Sequence, residues 1–188
     1  MTTLTASPNR KFILNKNVNA DSLSDIIKGI LDINEYDDNQ ENVQKDYERE
    51  PIKLVVDSFG GNIYCGMALV NVILTSETPV YTYCYGKAMS MGLLIFSVGH
   101  KRFAHPLATF MHHQLSGNSS GKFMDIVEDV EQKTKLQNIL DGLLVSKTKI
   151  DERVILEYRK SKTDWYFLGN EGYKMGLVDE LLVDKNKK

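Results

Sequence analysis

Asp57-Ser58-Phe59-Gly60-Gly61 and Gly86-Lys87-Ala88-Met89-Ser90-Met91-Gly92 decide how this chain folds. Each segment follows a short apolar run that reads as a buried strand. These runs are Ile52-Lys53-Leu54-Val55-Val56 and Val80-Tyr81-Thr82-Tyr83-Cys84-Tyr85. Each also precedes a helix-like pattern, from Ile63 to Leu74 and from Met91 to Val98. The second pattern is apolar on nearly every side, as a buried helix is. Two strand-to-helix turns are therefore expected side by side, one glycine-rich and one carrying a serine. A serine nucleophile needs a sharp turn of this kind, so that its oxygen stands clear of the sheet. It also needs backbone N–H groups aimed at a developing oxyanion, and glycine lets a backbone come that close.

Outward from these turns, strands and helices alternate. Upstream, Lys11 to Leu14 reads as a first strand. Asp21 to Leu31 reads as a helix capped by Asp21 or Ser22, with positions 23, 26, 27, 30 and 31 on one apolar face. Residues 1–10 read as a loose terminus, and the acid-rich residues 34–50 as a solvated loop, a helix extension or an insertion. Downstream, Arg102-Phe103-Ala104 and Ala108 to His113 read as strands. A polar loop follows, Ser116 to Gly121, and then a long amphipathic helix from about Lys122 to Lys147. Asp151 caps a further helix, Gly176 stops a short one, and a last strand is expected near Leu177-Val178. Residues 183–188 form a polar tail. The whole reads as one α/β domain over 1–188 with right-handed crossovers.

Composition narrows the function classes. A formal net charge of -2 argues against nucleic acid as the main partner. No apolar run approaches membrane-spanning length, and no leader is evident. Cys65 and Cys84 form no metal-type or disulfide pattern, so no metal site is implied. A reduced, cytoplasmic compartment is the expectation.

Ser90 is the candidate nucleophile. Its base must be a histidine, because a serine hydroxyl cannot attack unaided. His100 and His105 flank a short strand and read as surface residues. His112 and His113 end an apolar strand, where adjacent side chains face opposite sides, so only one of them faces Ser90. The residue pattern leaves open which one. A carboxylate must then orient the imidazole. Asp164 stands out, because the aromatic run Trp165-Tyr166-Phe167 beside it offers shielding from water.

Taken together, these motifs resemble the ClpP family of serine peptidases. Asp57-Ser58-Phe59-Gly60-Gly61 resembles its Asn-Ser-Pro-Gly-Gly, and Ala88-Met89-Ser90-Met91-Gly92 its Ala-Ala-Ser-Met-Gly. Met111-His112-His113-Gln114 resembles its Met-Ile-His-Gln, which selects His113. Asp164-Trp165-Tyr166-Phe167, with Gly176-Leu177-Val178-Asp179, resembles the family's closing stretch. The resemblance runs from about Lys11 to Leu182. It implies a ClpP/crotonase-like α/β fold with a long protruding helix, and a triad of Ser90, His113 and Asp164. It also implies an oxyanion hole from the N–H groups of Gly61 and Met91. Gly60 and the loop Gln114-Leu115-Ser116-Gly117 would bind an extended substrate as an added strand. No cofactor is implied. The expected substrate is an unfolded or flexible polypeptide, and the expected assembly a homo-oligomeric heptameric ring, stacked or single, fed by an ATP-dependent unfoldase.

The chain departs from that pattern in several places. Phe59 and Leu115 replace prolines, and Lys162-Thr163 replaces an acid–arginine pair used between rings. About ten residues precede the first strand, fewer than the family's pore-lining segment. These departures suggest a compact, divergent member. Two other readings remain at this stage: a crotonase-like enzyme acting on acyl-CoA, and a non-catalytic ring subunit.

Overall fold

The computed structural model describes residues 7–183. Its elements run β1 (Lys11–Leu14), α1 (Ala20–Val43), β2 (Ile52–Val56), α2 (Ile63–Thr75), β3 (Val80–Cys84), β4 (Lys87–Met89) and α3 (Met91–Ser97). They continue β5 (Lys101–Ala104), β6 (Thr109–His112), α4 (Phe123–Lys147), α5 (Glu152–Ser161), β7 (Trp165–Leu168), α6 (Gly169–Lys174) and β8 (Glu180–Leu181). Five strands form a parallel sheet in the order β1-β2-β3-β5-β8. A smaller sheet, β4-β6-β7, pairs β4 parallel and β7 antiparallel to β6. This is a mixed α/β single domain of the expected class.

Alternate residues of β2 and β3 are buried, Leu54, Val56, Val80 and Cys84 among them, so one face of the sheet is packed while Lys53 on the other is exposed. Helix α2 supplies Leu69, Val70 and Ile73, and every residue of α3 is buried. An aromatic chain links the two sheets' supports. Phe96 on α3 meets Phe110 on β6 at 5.0 Å between ring centroids, and Phe110 meets Phe167 on β7 at 5.6 Å. Trp165 continues to Tyr158 on α5 at 5.1 Å. Such contacts add about 0.5–1.5 kcal/mol each beyond their burial, and they fix α3 against the strand that ends at His112.

Several local expectations are corrected. Helix α1 runs on past Leu31 through most of the acidic segment, so of the readings offered for that stretch the helix extension holds, and the solvated loop and the insertion do not. Its acids are not all solvated. Asp37 is completely buried, because it continues the inward face of Ile26, Ile30 and Ile33 at helical spacing. Arg10, also buried, donates to both Asp37 oxygens, at 2.9 and 2.5 Å. Thr78 Oγ1 and the Tyr47 hydroxyl each donate at 2.6 Å. So residue 10 is not part of a loose terminus; residues 1–6 lie outside the described range. The cap of α1 is Asn19, whose side chain accepts from Ser22 N, while the Ser22 hydroxyl oxygen accepts from Asn19 N. The last strand is Glu180–Leu181, while Leu177 and Val178 are buried core residues just before it. Val183 is exposed, and the rest of the tail lies outside the described residues.

Helix α4 is about 37 Å long at 1.5 Å per residue. Its buried residues begin only at Gln137; before that, nearly four turns are exposed or half-buried, tied to the domain by Gln132 Nε2, which donates to the Tyr64 hydroxyl at 3.3 Å. Phe123 and Met124 at its start are exposed.

Burial alone would push the Asp37 carboxyl up, but hydrogen bonds from Arg10, Thr78 and Tyr47 outweigh it and hold the pKa below the ordinary value. A depressed carboxylate stabilises the fold fully above the unfolded value of about 3.9. That contribution disappears as pH falls through the lower folded value. Asp37→Asn leaves buried Arg10 only the exposed Glu50 carboxylate, 4.0 Å from its Nε, as counter-charge, which should cost about 3 kcal/mol. Urea unfolding at neutral pH checks the magnitude. The variant's stability should also fall less than the wild type's between pH 5 and 3.

Candidate active site

The two motif turns are joined through main chain. Ser58 N donates to Lys87 O at 3.1 Å, and Met89 N donates to Ser58 O at 3.0 Å. The same glycine turn is bound to the strand-to-helix link before α1: Val18 N donates to Gly60 O, and Asn62 N to Val18 O, both at 2.8 Å. Ser58 Oγ donates to Lys16 O at 2.6 Å and accepts from Gly60 N at 3.1 Å. The short strand β4, not foreseen from the sequence, is what brings the serine turn to this position.

Ser90 sits between β4 and α3 with φ 52° and ψ -123°. This is strained backbone for a residue with a side chain, and such strain gathers at functional sites. Its N–H donates to Met111 O at 2.8 Å, and its carbonyl accepts from Leu93 N at 3.0 Å. Although Ser90 is the N-cap of α3, its hydroxyl makes no capping bond. It is left for His113, whose Nε2 lies 2.8 Å from Ser90 Oγ.

Glycine is required beside it. At Gly60 φ is +95°, and a Cβ there would lie 2.7 Å from Ser90 Cβ and 2.9 Å from Met91 N. At Gly61 φ is +147°, and a Cβ would meet Val18 O at 2.4 Å. Among the described residues, neither Gly61 N–H nor Met91 N–H has an acceptor. Gly61 is exposed and Gly60 buried beneath it.

His113 is half-buried, and desolvation pushes its pKa below the ordinary value; the Asp164 charge works against that shift, and the His112 charge works with it. Asp164 itself departs from expectation. The aromatic run next to it forms β7, which alternates Trp165 and Phe167 inward with Tyr166 and Leu168 outward. The ring faces therefore serve the core, and Asp164, one residue before the strand, is exposed to solvent. Among the described residues it makes no hydrogen bond to His113; it is felt there through its charge.

The loop after His113 is irregular. Gln114, Ser116 and Gly117 are exposed and Leu115 half-buried. Leu115 N–H is already engaged, donating to Gln137 Oε1 of α4 at 2.6 Å. Lys133 Nζ holds the loop further along, through Asn118 O at 3.0 Å and Ser119 Oγ at 2.9 Å. Sequence reasoning missed a second histidine–carboxylate pair. His112 turns away from Ser90's hydroxyl, and its Nε2 comes within 3.2 Å of Asp141 Oδ1 on α4, both side chains being buried. No sequence signal marked the pair, because Asp141's burial beside Leu140 and Leu144 shows only in the structure.

A strained serine at a helix start, an imidazole in hydrogen-bond reach and two free backbone amides beside it form the arrangement of a serine hydrolase. Compared with known families, the chain matches the Clp protease family over residues 5–185, nearly its whole length, and it belongs to that family. Among the described residues no helix is long and apolar enough to cross a membrane, and no cluster of three or more His, Cys, Asp or Glu side chains could hold a metal ion.

Gly60→Ala should push its new methyl into Ser90 and the Met91 amide. The expected result is a loss of fluorophosphonate labelling at Ser90 of about 10²-fold or more, with helix content by circular dichroism retained.

Proposed function

We propose that this chain is a serine endopeptidase that cuts unfolded or flexible polypeptides within a ring of its own copies. The observation that carries the reading is the 2.8 Å contact between His113 Nε2 and the hydroxyl of a conformationally strained Ser90. Ser90 Oγ attacks the peptide carbonyl carbon while its proton passes to His113 Nε2. The oxygen's developing charge is met by Gly61 N–H and Met91 N–H, the contribution expected to lower the barrier most. The C–N bond then breaks, and His113 returns the proton to the leaving amine. Water repeats the sequence in the deacylation half, with His113 again as base.

Asp164 acts on His113 through its charge, favouring the imidazolium that forms during attack. Its exposed position leaves it free to swing onto Nδ1 when substrate or neighbouring copies exclude water. The unpacked start of α4, with Phe123 and Met124 exposed, supports its use as a contact between copies. Family membership supports peptide hydrolysis over the acyl-CoA reading. An ATP-driven unfoldase is the partner that a ring enclosing its active sites would require for folded substrates.

A fluorophosphonate probe should label wild-type protein and leave Ser90→Ala untouched; equal labelling of both would refute the nucleophile. Ser90→Ala and His113→Ala should each lower peptide turnover by roughly 10⁶-fold, while His105→Ala, remote from the site, retains it. Because burial holds the His113 pKa down, the active neutral imidazole should be fully formed at neutral pH. Labelling should rise with pH to a midpoint below about 6.5. Asp164→Asn removes the charge that holds this pKa up, so its midpoint should move to still lower pH.

A further inference from the structure

Helix α4 carries a row of four polar residues, Asp129, Lys133, Gln137 and Asp141, spaced four apart and therefore on one face. Asp129 and Lys133 are half-buried, and Gln137 and Asp141 are buried, so the row faces the domain. It is bonded along its length in two pairs. Lys133 Nζ donates to Asp129 Oδ2 at 2.6 Å, and Gln137 Nε2 donates to Asp141 Oδ1 at 2.8 Å. Every member also reaches the segment around His113. His112 Nε2 lies 3.2 Å from Asp141 Oδ1, and Leu115 N–H donates to Gln137 Oε1 at 2.6 Å. Lys133 Nζ donates to Asn118 O at 3.0 Å and to Ser119 Oγ at 2.9 Å. Ser119 Oγ donates in turn to Asp129 Oδ2.

These contacts exceed what a helix needs for its own stability. An ammonium has three donors; Lys133 directs one at Asp129 and the others at the loop. Gln137 gives its oxygen to Leu115 and its amide to Asp141. Leu115 stands where the related motif carries proline. Proline fixes φ and has no N–H. Leucine brings a mobile φ and a donor, and Gln137 Oε1 takes up that donor. Gln114 and Ser116, on either side of Leu115, are exposed. Among the described residues their main-chain N–H and C=O groups have no hydrogen-bond partner. So α4 grips the segment at 112, 115, 118 and 119 and leaves open the groups at 114 and 116. A peptide that adds as a strand pairs with open groups of this kind, and fixing them beforehand lowers the ordering cost of binding.

We propose that Lys133 and Gln137 are positioning residues for peptide binding: from α4 they hold the loop after His113 as a preformed edge on which an extended polypeptide pairs. The inference rests on the peptidase reading and deepens it. Asp129 and Asp141 hold the two side chains from behind. Both residues act through the loop's main chain rather than on the reacting atoms. Their loss therefore weakens capture of a long substrate and leaves the chemistry at Ser90 in place. Because the grip is on backbone, the effect is alike for peptides of different sequence.

The test is steady-state cleavage, by the full-length protein, of a quenched fluorescent peptide long enough to span the loop. Fluorophosphonate labelling of Ser90, which needs no added strand, is measured beside it. Lys133→Met and Gln137→Met should each raise KM about tenfold, with kcat and the labelling rate staying within about twofold of wild type. Lys133→Arg keeps donors for the loop and should raise KM less than Lys133→Met. Leu115→Pro in the Gln137→Met background removes the stranded N–H and fixes φ, so KM should return toward the wild-type value. Should Gln137→Met not fold, the half-buried Lys133→Met still decides the matter. An unchanged KM in Lys133→Met overturns the proposal. So does a parallel fall of kcat and labelling, the mark of a row that only supports the fold around His113. No labelling of Ser90 in the wild type overturns the peptidase reading instead, and the positioning role falls with it.

Discussion

The strained backbone of Ser90 is the constraint on which the rest of the site depends. A positive φ at a residue with a side chain costs on the order of 1–3 kcal/mol and survives only where neighbours over-determine it. Here the neighbours are main-chain hydrogen bonds: Ser90 N–H to Met111 O, Leu93 N–H to Ser90 O, and the paired bonds between Ser58 and residues 87 and 89. The first of these bonds also fixes Ser90 against β6, which ends one residue before His113. One set of contacts therefore holds the hydroxyl clear of the sheet and sets its distance from His113. Gly60 and Gly61 are consequences of the same packing, since no Cβ fits between that turn and its neighbours.

The electrostatics around the imidazole are a balance between burial and charge. Desolvation by the surrounding apolar residues keeps His113 neutral and ready to accept a proton, while Asp164 pulls the other way across a solvent-exposed gap. On the other face of the strand, His112 and Asp141 form a buried pair tied through Gln137 to the loop that follows His113. Helix α4 thus does two things. Its C-terminal half anchors the residues beside Ser90, and its more exposed N-terminal half holds the loop after His113 through Lys133.

Much of the architecture could be read from residues because apolar runs bounded by Pro and Gly mark strands, and buried helices are apolar all round. The reading failed where long-range partners override local signal. Lys87-Ala88-Met89 is too short and mixed to announce a strand; pairing with Thr109–Met111 makes it one. Trp165-Tyr166-Phe167 looked like a shield for Asp164, but alternate residues face opposite ways once paired with β6. The acids after Asn34 hid the continuation of α1, because the buried Asp37 is matched by Arg10, 27 positions upstream. Ser90 and the glycine pair were legible from turn chemistry. Strand alternation narrowed the base to one of two histidines, and only the family motif chose between them. Asp141 and Gln137 were invisible, since polar residues on a long helix ordinarily face water.

The most direct test of the central geometry is a crystal structure of the protein after reaction with a fluorophosphonate. The account requires phosphorus bonded to Ser90 Oγ, its P=O oxygen within about 3 Å of both Gly61 N and Met91 N, and His113 still facing the adduct. Phosphorus on another residue, or an oxygen turned away from those two amides into solvent, would contradict it.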